Sequence, residues 1–339
     1  MDSPISPPPD SAPGARTWSK RGAGWLKLAV TISLYVLVFW WSDLGATASQ
    51  LRTAHLGYVG LGVLLYGTGQ AISAWRWWLL LAPVRLSVAY ARLLGFYFIG
   101  MFFNLFLPTI VGGDAVKALL LTRETGAPAR ATISVFMERN LGLAALLLVA
   151  TVAAWQTPGV ALGGWSLLAV TVALSAGFVL INVVLLSPHA YRLVDRLVAR
   201  GPIARFRGRA ASLYDAVRPY RSAWRTVAAT FGLSLAFQGI VIAVVFLNAL
   251  ALEQVFPFSA VAVFVPLISL AGMLPISVNG LGVREALYLL LFGRIGASPE
   301  VAVSLALLYL AVIFVASLPG GLVYALQRTP PRLADTGSP

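Results

Sequence analysis

LPTIVGGDAVKALLL, Leu107 to Leu121, and LPISVNGLGVREALYLLL, Leu274 to Leu291, are two versions of one pattern. In each, an apolar segment breaks at Leu-Pro, passes through glycines and resumes with a cation nine residues after the proline: Lys117 after Pro108, Arg284 after Pro275. The likeness continues downstream. Gly126-Ala127 and Gly296-Ala297 each open a short polar turn, and Ser134 and Ser304 follow eight residues past the glycine. Pro/Gly-interrupted hydrophobic segments in corresponding positions of two halves point to the binding region of a transporter.

Composition sets the solvent. The chain has 339 residues, of which 59% are hydrophobic and 11% charged, and a mean hydropathy of +0.83. Soluble proteins are roughly a quarter charged, so a soluble globule is excluded. Repeated apolar runs near the ~20 residues that cross ~30 Å of hydrocarbon make this an all-α, polytopic helical membrane protein. With no cysteine, disulfides, Cys-type zinc sites, Fe–S clusters and thiol catalysis are excluded, and no cofactor is expected. The net charge of +13 sits in alternate loops, as the positive-inside rule requires, so nucleic acid is not an expected partner.

Residues 1–24 read as a Pro/Ser-rich disordered cytoplasmic leader, kept inside by Arg16, Lys20, Arg21 and Lys27. Six full spans are expected within a membrane domain over residues 25–326: Trp25–Trp41, Gly57–Leu81, Ala131–Ala154, Trp165–Leu186, Trp224–Leu250 and Val301–Leu326. The two broken segments, Tyr90–Arg123 and Phe258–Phe292, add re-entrant hairpins or tight pairs of spans. Residues 187–223 form a basic cytoplasmic linker, in which Ala190, Leu193, Val194, Leu197 and Val198 recur at helical spacing, as on an amphipathic helix at the inner leaflet. Residues 327–339 form a cytoplasmic tail. Arginine placement implies N-in, C-in topology, with the broken segments entering from opposite faces as an inverted repeat.

Six charges lie in otherwise apolar sequence: Asp114, Lys117, Glu138, Arg139, Arg284 and Glu285. An unpaired charge at the bilayer centre costs roughly 2.5–3.5 kcal/mol on insertion scales, so these must face inward and pair. Asp114 and Lys117, three apart, can meet on one helix. The adjacent pairs Glu138-Arg139 and Arg284-Glu285 diverge, and a cross-repeat cluster is expected: Arg284 toward Asp114 or Glu138, Glu285 toward Lys117 or Arg139. The glycines Gly112, Gly113, Gly280 and Gly282, with Pro108 and Pro275, permit sharp turns and leave half-helix N-termini open to an anion. Plainer readings compete. Asp114 can be a helix N-cap, as can Ser277 or Asn279 in the second copy. Arg76, among Trp75, Trp77 and Trp78, reads as an interface marker that snorkels, and Asp43, His55 and His189 as isolated loop residues.

FFNLFLPTIVGGDAVKALLL, MERNLGL, LPISVNGLGVREALYLLL and SLPGGL, in that order, resemble the transmembrane flippase-like region of lysylphosphatidylglycerol synthases. The resemblance covers roughly Leu26 to Leu326. Its GGD-x-x-Arg motif falls on Gly112, Gly113, Asp114 and Lys117, lysine replacing arginine, which keeps the charge but loses bidentate phosphate geometry. Its acidic-Arg-x-x-Gly element falls on Glu138, Arg139 and Gly142, and its Asn-Gly-x-Gly-x-Arg-Glu element on Asn279, Gly280, Gly282, Arg284 and Glu285. The resemblance implies translocation of a lipid with an anionic or modified headgroup, in a bacterial inner membrane. The synthases' aminoacyl-transferase domain is not found before Pro339, so a non-enzyme is expected.

The expected partners are therefore membrane lipids of anionic or polyprenyl-phosphate type. No Walker-type P-loop is present for direct use of ATP. Two other readings stand beside translocation. One is a polyprenyl-phosphate-dependent glycosyltransferase, with Asp43 and Glu253 as its outer-loop acids. The other is a non-catalytic partner of a lipid-modifying enzyme, docking through the Arg192–Arg221 stretch.

Overall fold

The computed structural model describes residues 15–107, 112–157, 161–162, 164–187, 189, 192, 207–274 and 276–326. Helices dominate the described residues: α1 (Ala15–Trp41), α2 (Leu44–Thr53), α3 (Leu56–Leu79), α4 (Tyr90–Phe106), α5 (Gly112–Thr125), α6 (Pro128–Trp155), α7 (Leu167–Leu186), α8 (Arg207–Ser222), α9 (Trp224–Ala251), α10 (Phe258–Gly272), α11 (Val283–Gly293) and α12 (Pro299–Leu326). By length and composition α6, α7, α9 and α12 can each cross a membrane, and the α1–α2 pair, bent by 83°, adds a fifth candidate. The protein is a multi-pass helical membrane protein, with four to five such spans among the described residues. The expected six include α3, which is long, at 24 residues, but is diluted by a polar stripe.

Two local corrections have simple causes. The outer loop after α1 is helical, because Asp43 caps α2 by accepting from the backbone N–H groups of Gly45 (2.7 Å) and Ala46 (3.1 Å). Trp165 and Ser166 are not helical: they pair with Ala161–Leu162 in a two-residue β ladder. The Ser166 hydroxyl then caps α7 by accepting from Ala169 N–H at 3.1 Å. Pro108, Pro275, the leader residues 1–14, the tail 327–339 and most of the expected amphipathic helix at 190–198 lie outside the described residues. In the basic linker the described helix is α8, which buries Val217 and Tyr220 and donates from the Tyr220 hydroxyl to Leu80 O at 2.9 Å.

Helices α6 and α12 bury 56% of their most apolar stretches, and α7 only 11%. The centre is thus α3, α6, α9, α10 and α12, with α7 on the lipid-facing flank. Several polar side chains in these helices find partners within the protein, as hydrocarbon requires. Ser234 and Ser317 donate back to carbonyls four residues earlier. Asn140 donates to Asn182 (2.6 Å) and Thr151 meets Ser175 (2.9 Å), joining α6 to α7.

The tightest crossing is α12 on α4. A Cβ at Gly320 would lie 1.9 Å from Phe98 O and 2.4 Å from Phe98 C. Backbone cannot yield as a flexible side chain does, so Gly320→Ala is expected at or above the top of the ~1–3 kcal/mol range for overpacking. A thermal melt of the detergent-purified variant would show it, and an unchanged melting point would contradict this packing.

In each broken segment the chain doubles back as an antiparallel helical hairpin. Leu107 packs on Gly112, and Gly113 on Gly100 and Asn104; Gly280 packs on Gly272. At 1.5 Å per residue, the 11-residue α11 reaches only ~16 Å. The repeat-matched turns also agree in conformation, with φ of +67° at Gly126 and +90° at Gly296, and Ser134 and Ser304 are both fully buried.

Candidate functional site

Helices α3, α5 and α6 bring five charges into one chain of contacts. Lys117 and Asp114, one turn apart on α5, meet at 2.9 Å. The Lys117 ammonium also lies 2.7 Å from Glu138 Oε2, and Glu138 Oε1 accepts from Arg76 at 2.5 Å and from the Tyr97 hydroxyl at 3.1 Å. Arg139 Nε donates to Asp114 Oδ2, and Arg76 donates to Ser234 Oγ at 3.0 Å. The order Arg76–Glu138–Lys117–Asp114–Arg139 alternates in sign, which lets charges stand at membrane depth. Around Lys117, the Tyr97 and Trp77 rings have centroids 4.4 and 5.3 Å from its nitrogen. Gly142 completes the site, since a Cβ there would stand 3.4 Å from an Arg76 nitrogen.

The second break is organised differently. Glu285 Oε2 accepts from Gly282 N–H at 2.6 Å, capping α11, and its Oε1 accepts from the Tyr35 hydroxyl of α1 at 3.4 Å. Val278 N–H donates to Thr31 Oγ1 at 2.9 Å, so α1 braces this turn. The turn needs glycine: φ is +74° at Gly280 and +82° at Gly282, conformations costly for a residue with a Cβ. Asn279 Nδ2 donates to Asn104 O at 2.8 Å, tying the second break to the end of α4. Arg284 lies over Gly272 and beside Gly280. It makes no hydrogen bond or ion pair with another described residue.

These contacts correct the expected cross-repeat cluster. Arg284 meets neither Asp114 nor Glu138, and Glu285 reaches Tyr35 rather than Lys117 or Arg139. Carboxylates of the first break are saturated by nearer cations. The capping alternatives are also settled: Asp114 is the third residue of α5 and spends its carboxylate on Lys117 and Arg139. Gly282, rather than Ser277 or Asn279, occupies the N-cap of α11. Arg76 is the residue that reading the sequence missed. It is 5% exposed, bound to Glu138 and not snorkelling. A signal was available, because Gln70, Ser73 and Arg76 recur every three residues as a polar stripe on an apolar helix. Outside the site, Glu253 lies 3.1 Å from His55, both exposed.

The two breaks nevertheless face one cavity of about 240 Å³, bounded by Asn104, Asp114 and Lys117 from the first and by Met273, Arg284 and Tyr288 from the second. Four cations border it (Arg76, Lys117, Arg139 and Arg284) against two carboxylates, Asp114 and Glu138. The surplus of two positive charges lies with Arg284, which has no ion-pair partner among the described residues, and with Arg139, whose side chain is 41% exposed.

The chain belongs to the family of the lysylphosphatidylglycerol synthase TM region, whose family model matches residues 24–320. It is also similar to a UPF0104 membrane protein of Pyrococcus horikoshii, with 25% identity over 120 residues, 34% of this chain and 36% of that protein. The match therefore spans about a third of that relative's length.

Proposed function

We propose that this member of the lysylphosphatidylglycerol synthase TM-region family is a lipid translocase, moving an anionic or modified lipid between leaflets with the headgroup in the central cavity. The observation that carries the reading is Arg284: a cation without a hydrogen-bond or ion-pair partner among the described residues, bordering a cavity that both breaks share. Such a charge is expensive unless a ligand anion or water completes it. It also stands in the first turn of α11, where the helix dipole adds its own attraction for an anion.

In this reading the headgroup phosphate sits between Arg284 and Arg139 while the tails stay in the bilayer. Lys117, expected from sequence as a second phosphate site, is structural, because two carboxylates already hold it. The hairpins α4–α5 and α10–α11 act as re-entrant elements entering from opposite faces of the inner membrane, with both termini inside. The glycosyltransferase alternative is weakened by the outer acids, as Asp43 caps α2 and Glu253 pairs with His55.

The test is leaflet exchange in proteoliposomes carrying fluorescent phosphatidylglycerol, polyprenyl phosphate or phosphatidylcholine, read by quenching with dithionite. Loss of the protected inner-leaflet signal for an anionic probe, but not for phosphatidylcholine, is the expected result. Equal rates for all three probes, or none above empty liposomes, would sink the proposal.

A further inference from the structure

Beside its charged groups, the cavity carries neutral hydrogen-bonding groups. Gln238 of α9 is 6% exposed and borders the cavity, yet it hydrogen-bonds to no other described residue. The hydroxyls of Tyr288 and Tyr309, which border the same volume, likewise have no hydrogen-bond partner among the described residues. Helix contacts bring Gln238 and Tyr309 to the same helix, α3. Gly62 packs on Val244 and Asn248, and Gly69 on Phe237 and Ile240. That antiparallel register sets Gln238 level with Gln70 and Tyr66 of α3. The Tyr66 ring in turn meets the Tyr309 ring edge-on at 6.3 Å.

A buried amide or phenol without a partner costs free energy, so these groups await one. An amide offers two donors and a two-lone-pair acceptor, and a phenol offers one donor and an acceptor. Hydroxyl groups can use both kinds at once, whereas a bare phosphate would use only the donors. The tyrosines add flat apolar faces of the kind that a ring can lie against. An ammonium group fits poorly, since Asp114 and Glu138 are already taken by Arg139, Lys117 and Arg76, and the surplus charge is positive.

We infer that the cavity takes a phospholipid whose phosphodiester carries a neutral cyclic polyol or sugar, its hydroxyls held by Gln238, Tyr288 and Tyr309, and that it rejects a cationic aminoacylated headgroup. The inference rests on the lipid-headgroup reading above and extends it from the charge of the headgroup to its chemical class.

The test is binding to the purified full chain in detergent micelles. Phosphatidylinositol and phosphatidylmethanol of the same acyl chains are the main probes, since they share one phosphodiester charge and differ in hydroxyls. Lysyl-phosphatidylglycerol supplies the cationic headgroup, and free inositol 1-phosphate lacks the tails. Phosphatidylinositol is expected to bind about 5–10-fold tighter than phosphatidylmethanol, the yield of one to two added hydrogen bonds. Lysyl-phosphatidylglycerol and free inositol phosphate are expected to bind more weakly than either.

Gln238→Leu should erase the preference and leave phosphatidylmethanol binding intact. Tyr309→Phe, which removes one hydroxyl, should lower the preference in part. Equal affinity for the two main probes in the unaltered protein, or an unchanged preference in Gln238→Leu, overturns the polyol assignment alone. Tight lysyl-phosphatidylglycerol binding overturns the rejection of cations, and free inositol phosphate matching the lipid overturns the lipid assignment. Unaltered binding of every lipid by Arg284→Gln overturns the phosphate site beneath both readings.

Discussion

Glu138→Gln is expected to destabilise the fold by about 3–5 kcal/mol, the range found when one member of a buried ion pair is removed. Glu138 is 1% exposed and is the hub of the charge chain, accepting from Arg76, Lys117 and Tyr97. Glutamine keeps its shape and removes the charge, leaving Arg76 and Lys117 buried with Asp114 as the remaining acid. The loss should appear as a lower melting temperature in detergent and a smaller monodisperse fraction on size exclusion. Adding Lys117→Met to Glu138→Gln removes one stranded cation, so the double variant should be less damaged than the two single losses summed. A Glu138→Gln protein that melts with the unaltered chain would show that the chain of ion pairs does not hold α3, α5 and α6 together. Asp114→Asn should be milder, since Arg139 is 41% exposed on its side chain and can turn toward water.

Arg284→Gln is expected to do the reverse, sparing the fold and removing the activity. No described residue loses a hydrogen bond or an ion pair when Arg284 goes, and an unpaired charge is taken out of an apolar region, so melting should hold or rise slightly. A charge-assisted hydrogen bond to a headgroup contributes ~1.5–3 kcal/mol, so exchange of an anionic lipid should fall roughly 10–100-fold. Lys117→Gln separates the two roles, because it cuts the link between Glu138 and Asp114, leaves each carboxylate with a single arginine, and should lower the melting temperature. Full exchange in a well-folded Arg284→Gln variant would remove Arg284 from the lipid path. The absence of cysteine makes site-specific labelling of either variant direct.

Much of the architecture was readable from the chain. Expected spans and observed helices agree within a few residues for α3, α6, α9 and α12, because an apolar run of membrane length and its flanking charges are local properties. Both broken segments were also readable. The two share a positive φ at Gly126 and Gly296 and a small residue beneath each cation, Gly100 under Lys117 and Gly272 under Arg284. Helix α2 escaped, since its cap is a single aspartate in a short polar loop. The partners of the charges escaped too. Adjacent charges can be seen to diverge around a helix, but what they diverge toward depends on which helices flank them.

The sequence by itself determined that this is a membrane protein, where several of its long helices lie, and that two Pro/Gly breaks carry matched cations. Hydropathy, turn chemistry and spacing act within a few residues of chain, so no folded neighbour is needed to read them. Only the tertiary structure decided that the two cations are unlike. Lys117 is enclosed because α3 delivers Arg76 and α6 delivers Glu138 to the same point, from positions 41 residues before it and 21 after it. Arg284 stays open because the carboxylate beside it turns back to cap its own helix. Coulomb pairing acts through space, so it became visible only once the helices were packed.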